Sequence, residues 1–554
     1  MNKKKNLYLI ILFILFSFKG IYAQGFTLKI TSKDKLEIIA LEKIDYQKKH
    51  KKIKTLNLEI DRVSEYLKKS GYFTNTIDSI VNLKKDYIVF YNLNNKIDVA
   101  VIKLNSVSKI YFEKSNLKGN TISIPIEKLS TSLLKISKTL DDEGKSFSKV
   151  QLQNIVIKDK TLFADLNINP SNKRIINQVK VKGYENFPKS YLKNYFNLKQ
   201  NTLFNQQKIK DISIATKGIP FVSEIKPTEV LFTKDSTLLY MYLKKQVNNS
   251  FDGIVSFASK DNGDVLFNGN IDLKLNNILN SGERFGLYWN SIGEERQELK
   301  LSTEIPYIFN LKFSPELSFL IYKQDSSFLS SKFDTKISYH INNKIKLALT
   351  YNSETSEKLV ENLTNNIESY DNYFLGLQLK YSIPKNDVFF NNKFYLEINP
   401  SFGQRKVSEK SNNQFKFEST ISYLWDLNLR TSIYIKNKIG YLNSNFYINN
   451  ELFRIGGANS IRGFNEQSIL TKNYTFFNIE YRYLTSEKSY LYTLLDIGKI
   501  NINSKNENLL GLGLGYLFNT NTSQINLSLA VGKINKQNID FKSVKLIINW
   551  KNYF

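Results

Sequence analysis

The sequence predicts a chain of two architectures: α+β modules first, then a 16-stranded antiparallel transmembrane β-barrel. Three observations lead there. The chain opens with an export signal, and no later apolar run is long enough for a membrane helix. From Phe251 onward it reads as strands of about 9–11 residues in which apolar and polar side chains alternate.

The export signal comes first. Lys3, Lys4 and Lys5 precede an uncharged apolar run from Leu7 to Phe18, and small residues ending in Ala23 follow. The run falls short of the ~20 residues of a spanning helix, so residues 1–23 read as a cleaved signal peptide and Gln24 as the mature start. Any membrane-spanning part of the mature chain must then be a closed barrel, because only a barrel or a helix satisfies its own backbone in lipid.

Composition narrows the chemistry. The sequence has no cysteine, which excludes a disulfide scaffold, a lipidated N-terminus and thiolate metal sites. His50 and His340 lie far apart and read as ordinary structural residues, so no metal or cofactor is implied. The formal charge of +27 in an exported chain points to anionic lipid headgroups rather than nucleic acid. The densest basic patch, Lys43, Lys48, Lys49, Lys51, Lys52 and Lys54, reads as a solvated face.

Ahead of the barrel, helical and strand-like runs alternate. Phe26–Ile30 reads as a strand, Ile60–Tyr72 as a helix, and Tyr87–Tyr91 and Ile97–Leu104 as strands. Leu129–Leu140 is a second helix, followed by strands Ile155–Ile157 and Leu162–Ile168. A third group runs Ile175–Val181 (strand), Ser190–Phe196 and Asn205–Thr216 (helices), then Thr228–Phe232 and Leu238–Leu243 (strands). The expected domains are 24–105, 106–172 and 173–247, with the barrel over 248–554.

The segment Val179-Lys-Val181-Lys-Gly183-Tyr-Glu-Asn-Phe187-Pro188 joins a strand to a helix through a glycine turn. It resembles the start of a POTRA domain, the periplasmic module that precedes outer-membrane assembly barrels. In the barrel, an even strand count puts both ends on the periplasmic side. The connections Asn352–Asp371, Gln404–Asn413 and Tyr441–Asn473 read as long outer loops, and Trp425–Asn428 and Asn519–Thr522 as tight inner turns. In the last strand Val544, Leu546, Ile548, Trp550, Asn552 and Phe554 share one face, with Trp550 and Phe554 as its terminal aromatic signal. Lys545, Asn549 and Lys551 share the other, as expected of lipid outside and a polar lumen inside.

The most specific motif lies in the longest late loop, Arg454-Ile-Gly-Gly-Ala-Asn-Ser-Ile461-Arg462-Gly463-Phe464. It resembles the Arg-Gly-aromatic signature of the sixth outer loop in BamA/TamA-like assembly and translocation barrels. The resemblance implies that the loop folds into the lumen and that Arg462 meets acidic groups on the wall. An arginine in a narrow lumen needs such carboxylates. Glu480 shares an inward face with Asn478 and Arg482, and Asp496 with Gly498 resembles the family's aromatic-x-Asp-x-Gly motif. Leu494 replaces the usual aromatic. Gly511, Gly513 and Gly515 fall on the inner face, where missing side chains admit the loop backbone.

The resemblance implies a non-enzymatic insertase or translocase that handles unfolded outer-membrane or secreted client polypeptides. Outer-membrane lipids and a periplasmic or inner-membrane partner are its other expected contacts. Three modules plus a barrel resemble TamA in length. The alternative is a two-partner-secretion transporter for a dedicated exported protein, a class that typically carries two POTRA modules and a plug helix. A passive porin or a surface receptor would share the barrel, but would have no use for the modules or the arginine loop.

Overall fold

The computed structural model describes residues 25–113, 117–259, 265–292, 296–361, 366–385, 389–502, 505–535 and 537–554. The expected signal peptide lies outside the described residues. The chain divides into two compact units: one runs to Arg174 and includes Leu203–Gln206, and the other comprises Ile175–Thr202 and Gln207–Phe554.

The first unit holds two mixed sheets. In the first, Phe26–Ser32 runs parallel to Asp86–Asn92, and Thr76–Leu83 forms the edge. Helix Lys35–Glu42 is capped by Asp34, whose carboxylate accepts from the N–H of Leu36 at 2.7 Å. Helix Ile53–Lys69 buries Leu56, Ile60, Val63 and Leu67, one face at helical spacing. It begins earlier than the expected Ile60 because its first turn lies within the lysine-rich stretch, where charge masks the stripe. His50 is buried, its Nε2 sharing a hydrogen bond with the carbonyl of Gln47 at 2.6 Å.

The second sheet corrects the expected boundary at residue 105. Val99–Leu104, assigned to the first module, pairs antiparallel with Thr121–Pro125 and parallel with Thr161–Asn169, so it opens the second module. Sequence proximity had joined it to Tyr87–Tyr91, yet hydrogen bonding takes it to a partner about 60 residues later. The same plan recurs in the second unit, where Gln178–Lys182 runs parallel to Thr237–Lys245, which pairs with Val222–Phe232. In all three, the opening strand is parallel to the closing one with helices between: a POTRA-like arrangement. Ile175–Val181, expected as one strand, breaks at Asn177, whose side chain accepts from the N–H of Thr237 at 2.7 Å.

Sixteen strands close the barrel: β1 (Ser250–Ser259), β2 (Val265–Asn276), β3 (Arg284–Ile292), β4 (Arg296–Glu304), β5 (Phe313–Gln324), β6 (Phe328–His340), β7 (Ile345–Lys358), β8 (Tyr370–Pro384), β9 (Asn392–Val407), β10 (Lys410–Asp426), β11 (Thr431–Asn443), β12 (Asn473–Ser486), β13 (Ser489–Ile502), β14 (Lys505–Asn519), β15 (Ser523–Ile534) and β16 (Lys545–Tyr553). Leu546, Ile548 and Trp550 stand exposed on the outer face of β16, and Leu347, Leu349, Leu375 and Leu377 do the same on β7 and β8. Inward positions carry charge, as in the pairs Lys332–Glu354 at 2.9 Å and Lys416–Glu418 at 3.3 Å. Apolar outside and polar inside, and closed from the first strand to the last, this is an outer-membrane barrel.

The expected contrast of long outer loops and tight inner turns does not hold throughout. Gln404–Asn413 is ladder: Gln404 pairs with Asn413 and Val407 with Lys410, leaving a turn at 408–409. The 352–371 connection shrinks to 359–369, because β7 and β8 run on past it. Inner turns such as 305–312 are longer than the outer turn 325–327. Polar residues on both faces report water on both faces, and strands keep pairing above the membrane. Of the three connections expected to be long, 444–472 keeps the length the sequence suggests.

Within the second unit, the third module seats on the inner turns. Tyr184 accepts from Asn277 at 2.6 Å and donates to Asn280 at 2.8 Å, while Tyr191 stacks edge-on against Tyr307 with centroids 5.0 Å apart. His340 is buried beside Tyr307 and shares a 2.7 Å hydrogen bond with Ser314.

Candidate functional site

The chain between β11 and β12 folds back on itself within the lumen. Phe453–Ile455 pairs with Ile469–Thr471 in a short ladder, and Gly456 (φ 109°) and Gly457 (φ 93°) turn the strand back. The Ser460 hydroxyl accepts from the N–H of Gly456 at 2.6 Å. The tip presents Ile461, Arg462, Gly463 and Phe464 to the wall formed by β12–β15.

Arg462 meets both acidic residues expected of it. Its backbone N–H and its Nε donate to one oxygen of Asp496 at 2.8 and 3.0 Å, and its Nη2 donates to the other at 2.7 Å. Its Nη1 donates to Glu480 at 2.5 Å. The second oxygen of Glu480 accepts from Arg482 at 2.8 and 2.7 Å. Asp496 is fully buried, and Arg462, Glu480 and Arg482 are nearly so. Two guanidiniums against two carboxylates leave no net charge. Every link is charge-assisted, which offsets the cost of desolvating the four groups.

The neighbouring predicted residues divide by role. Asn478, on the Glu480 face, donates to the Ser460 carbonyl at 2.7 Å. Ile461 is fully buried in a cluster with Ile455, Ile469, Phe476, Ile500 and Leu509, and a side chain at Gly498 would strike it. Of the three inner glycines, Gly511 alone faces the loop, beneath the Arg462 carbonyl. A Cβ at Gly513 would meet the carbonyl of Leu529, and one at Gly515 the ring of Tyr492. The shared-face reasoning therefore holds for one position, while the others clear neighbouring strands. Leu494 packs with Tyr490 and Tyr492, and the aromatic cover falls on Arg482, whose guanidinium lies 4.2 Å from the Tyr434 ring and 4.5 Å from that of Phe390. Trp550 and Phe554 stand away from this cluster, exposed at the end of β16, and the Phe554 N–H donates to Asn249 at 3.1 Å.

Several contacts were not legible in the sequence. Gly463 (φ 93°) abuts Gly532, and Phe464 lies over the same glycine. The Arg454 guanidinium sits 5.0 Å from the Tyr322 ring, and Arg296 donates to the Glu466 carbonyl at 3.1 Å. Fully buried Arg405 on β9 is ion-paired with Glu451 of the loop. The loop thus crosses the lumen, touching walls on both sides, above a polar cavity of about 600 Å³ lined by residues that include Glu316, Lys336 and Glu397. Among the described residues no group of three His, Asp or Glu could hold a metal ion.

The barrel closes unevenly. β15 and β16 pair from Ser523↔Asn552 to Ala530↔Lys545, whereas β1 and β16 pair only at Ser250↔Tyr553 and Phe251↔Asn552. Among the described residues, the facing edges of the first and last strands carry no ladder above these pairs.

The family model of haemolysin secretion/activation proteins ShlB/FhaC/HecB matches residues 316–518, from β5 to β14, and so includes the loop, Glu480 and Asp496. No curated protein sequence matches the chain. Among solved structures, CdiB from Acinetobacter baumannii is 14% identical with a TM-score of 0.53, covering 83% of this chain and 90% of its own. CdiB from Escherichia coli is 13% identical with a TM-score of 0.50, covering 89% and 96%. BamA from Haemophilus ducreyi lacking POTRA domains 1–3 is 13% identical, covering 82% and 98%, with a TM-score of 0.46. The CdiB likenesses are likenesses of fold.

Proposed function

We propose that this chain exports a dedicated partner polypeptide across the outer membrane through its barrel. The observation that carries this reading is the match of the haemolysin secretion/activation model to the stretch holding the lumenal loop and its acidic wall. The sequence alone favours a general insertase first and this export role second. In the export reading, the POTRA-like modules receive the unfolded partner, and the Arg462 cluster holds the loop across the lumen until the partner displaces it. A lumen of paired lysines and carboxylates offers little apolar surface for an extended chain to stick to. No covalent chemistry is needed. The three modules depart from the two typical of such transporters, and the extra one is read as part of the receiving arm.

The short β1–β16 ladder supports a second reading, lateral insertion of client strands by pairing to an open edge. Deleting the chain and quantifying secreted and outer-membrane proteins separates the two. Loss of one or a few surface proteins with other barrels intact supports dedicated export. General loss of barrels overturns it in favour of insertion.

A further inference from the structure

The Arg462 cluster is not the only charged attachment of the lumenal loop. Arg405, on β9, is fully buried, and its Nη1 binds Glu451 at the root of the loop. Its Nη2 donates to the Phe446 carbonyl at 3.0 Å, and its guanidinium lies 4.1 Å from the Phe446 ring. The other oxygen of Glu451 accepts from Gln414 of β10 at 3.1 Å. Beside it, Asn450 donates to Ser356 of β7 and to the Glu368 carbonyl, both at 2.8 Å. Arg405 and Gln414 stand near the outer ends of their strands, whereas Glu480 and Asp496 stand midway along theirs. The two attachments share no residue and lie on different strands.

We infer that Arg405 and Glu451 form a second clasp, which positions the root of the loop at the outer mouth of the barrel independently of Arg462. With the root held, release of the tip leaves the loop tethered over the lumen. Clearing the lumen requires both clasps to open. A guanidinium so buried has no water to replace its partner, so loss of Glu451 charge leaves it uncompensated and drives the root away from the wall. The inference rests on the export reading only in supposing that the loop must move.

The chain has no cysteine, so a single introduced thiol is a unique probe. Exposed Asn459, near the loop tip, is replaced by cysteine (N459C), and intact cells are treated with a maleimide too bulky to enter the lumen. D496N in this background sets the rate for a loop with its tip clasp weakened. With N459C/D496N as the parent, so that the tip clasp is already weakened, adding E451Q is expected to raise labelling by on the order of 10-fold or more. The swapped pair, R405E with E451R, should return it to within about twofold of the parent, which a merely space-filling role would not do. Q414L, which removes one hydrogen bond to Glu451, should give a smaller rise of roughly two- to fivefold. Labelling of E451Q no faster than the parent overturns the second clasp, and should E451Q fail to fold, an unchanged rate in Q414L does so. Labelling needs no client, so a raised rate with unaltered export upholds the clasp and counts against the export reading alone.

Discussion

Arg462 and Asp496 are joined three times: one backbone N–H and two guanidinium N–H groups of the same residue converge on a single carboxylate. Main chain and side chain of the loop tip are thus fixed together, and the tip cannot slide along the wall without losing all three.

Asp496→Asn should therefore release the tip. Breaking a buried pair costs about 3–5 kcal/mol, because the remaining arginine is left with a carboxylate it already shares with Arg482. Export of the partner, measured by immunoblot of the culture supernatant, should fall by more than about tenfold. Heat-modifiable gel mobility should still report a folded barrel. Undiminished export would refute the role given to the cluster.

Gly463→Ala should act in the same direction. The residue sits at φ 93°, and a Cβ would stand 2.5 Å from the backbone nitrogen of Gly532. Gly119→Ala is the contrast, with φ 64° but open space around it, and should cost only the backbone strain of about 1–2 kcal/mol. Partial proteolysis of the two variants is expected to open the loop in the first and not in the second.

A disulfide between cysteines at Phe251 and Asn552, paired residues of the first and last strands, would lock the seam. Export through the lumen should survive the lock within about twofold, reversibly with reductant. Loss of export on oxidation would show instead that the seam opens during transport.

Glu283 lies in the turn between β2 and β3. Burial pushes its pKa up, but hydrogen bonds from the Ser281 hydroxyl and from the N–H groups of Leu279 and Ser281 outweigh this and hold it below its ordinary value. The folded state then binds the proton less readily than the unfolded chain. Its stabilisation is complete above the ordinary carboxylate value of ~4.3 and is lost as pH falls from there through the lower folded value. The difference in thermal midpoint between the native chain and Glu283→Gln should be constant from about pH 7 to pH 5 and shrink towards pH 3. A difference that grows on acidification would contradict this.

Tyr191→Ala should loosen the third module from the barrel. The ring is buried against Tyr307 and Gly282, and its removal should cost about 3–5 kcal/mol at the junction. Faster tryptic cleavage around 244–250, with the barrel core resistant, is the expected result.

The sequence by itself determined the barrel, the strand number and the facing of side chains, since alternation with period two is a local property and lipid outside imposes it on every strand. Parity also offered Glu480 and Asp496 as candidates for the acidic partners that the family resemblance implies for Arg462. Their strands carry the alternation without interruption, so inward parity could be counted. What the tertiary structure decided is every contact that depends on which strands continue or which partners lie far along the chain. Val99–Leu104 joined the second module through a parallel pairing that no local pattern encodes. Arg405 went unseen because its segment is polar on both faces and reads as loop, so it had no parity to count. Only the continuing ladder of β9 and β10 turns it inward, to where Glu451 arrives from a loop whose path no local pattern encodes.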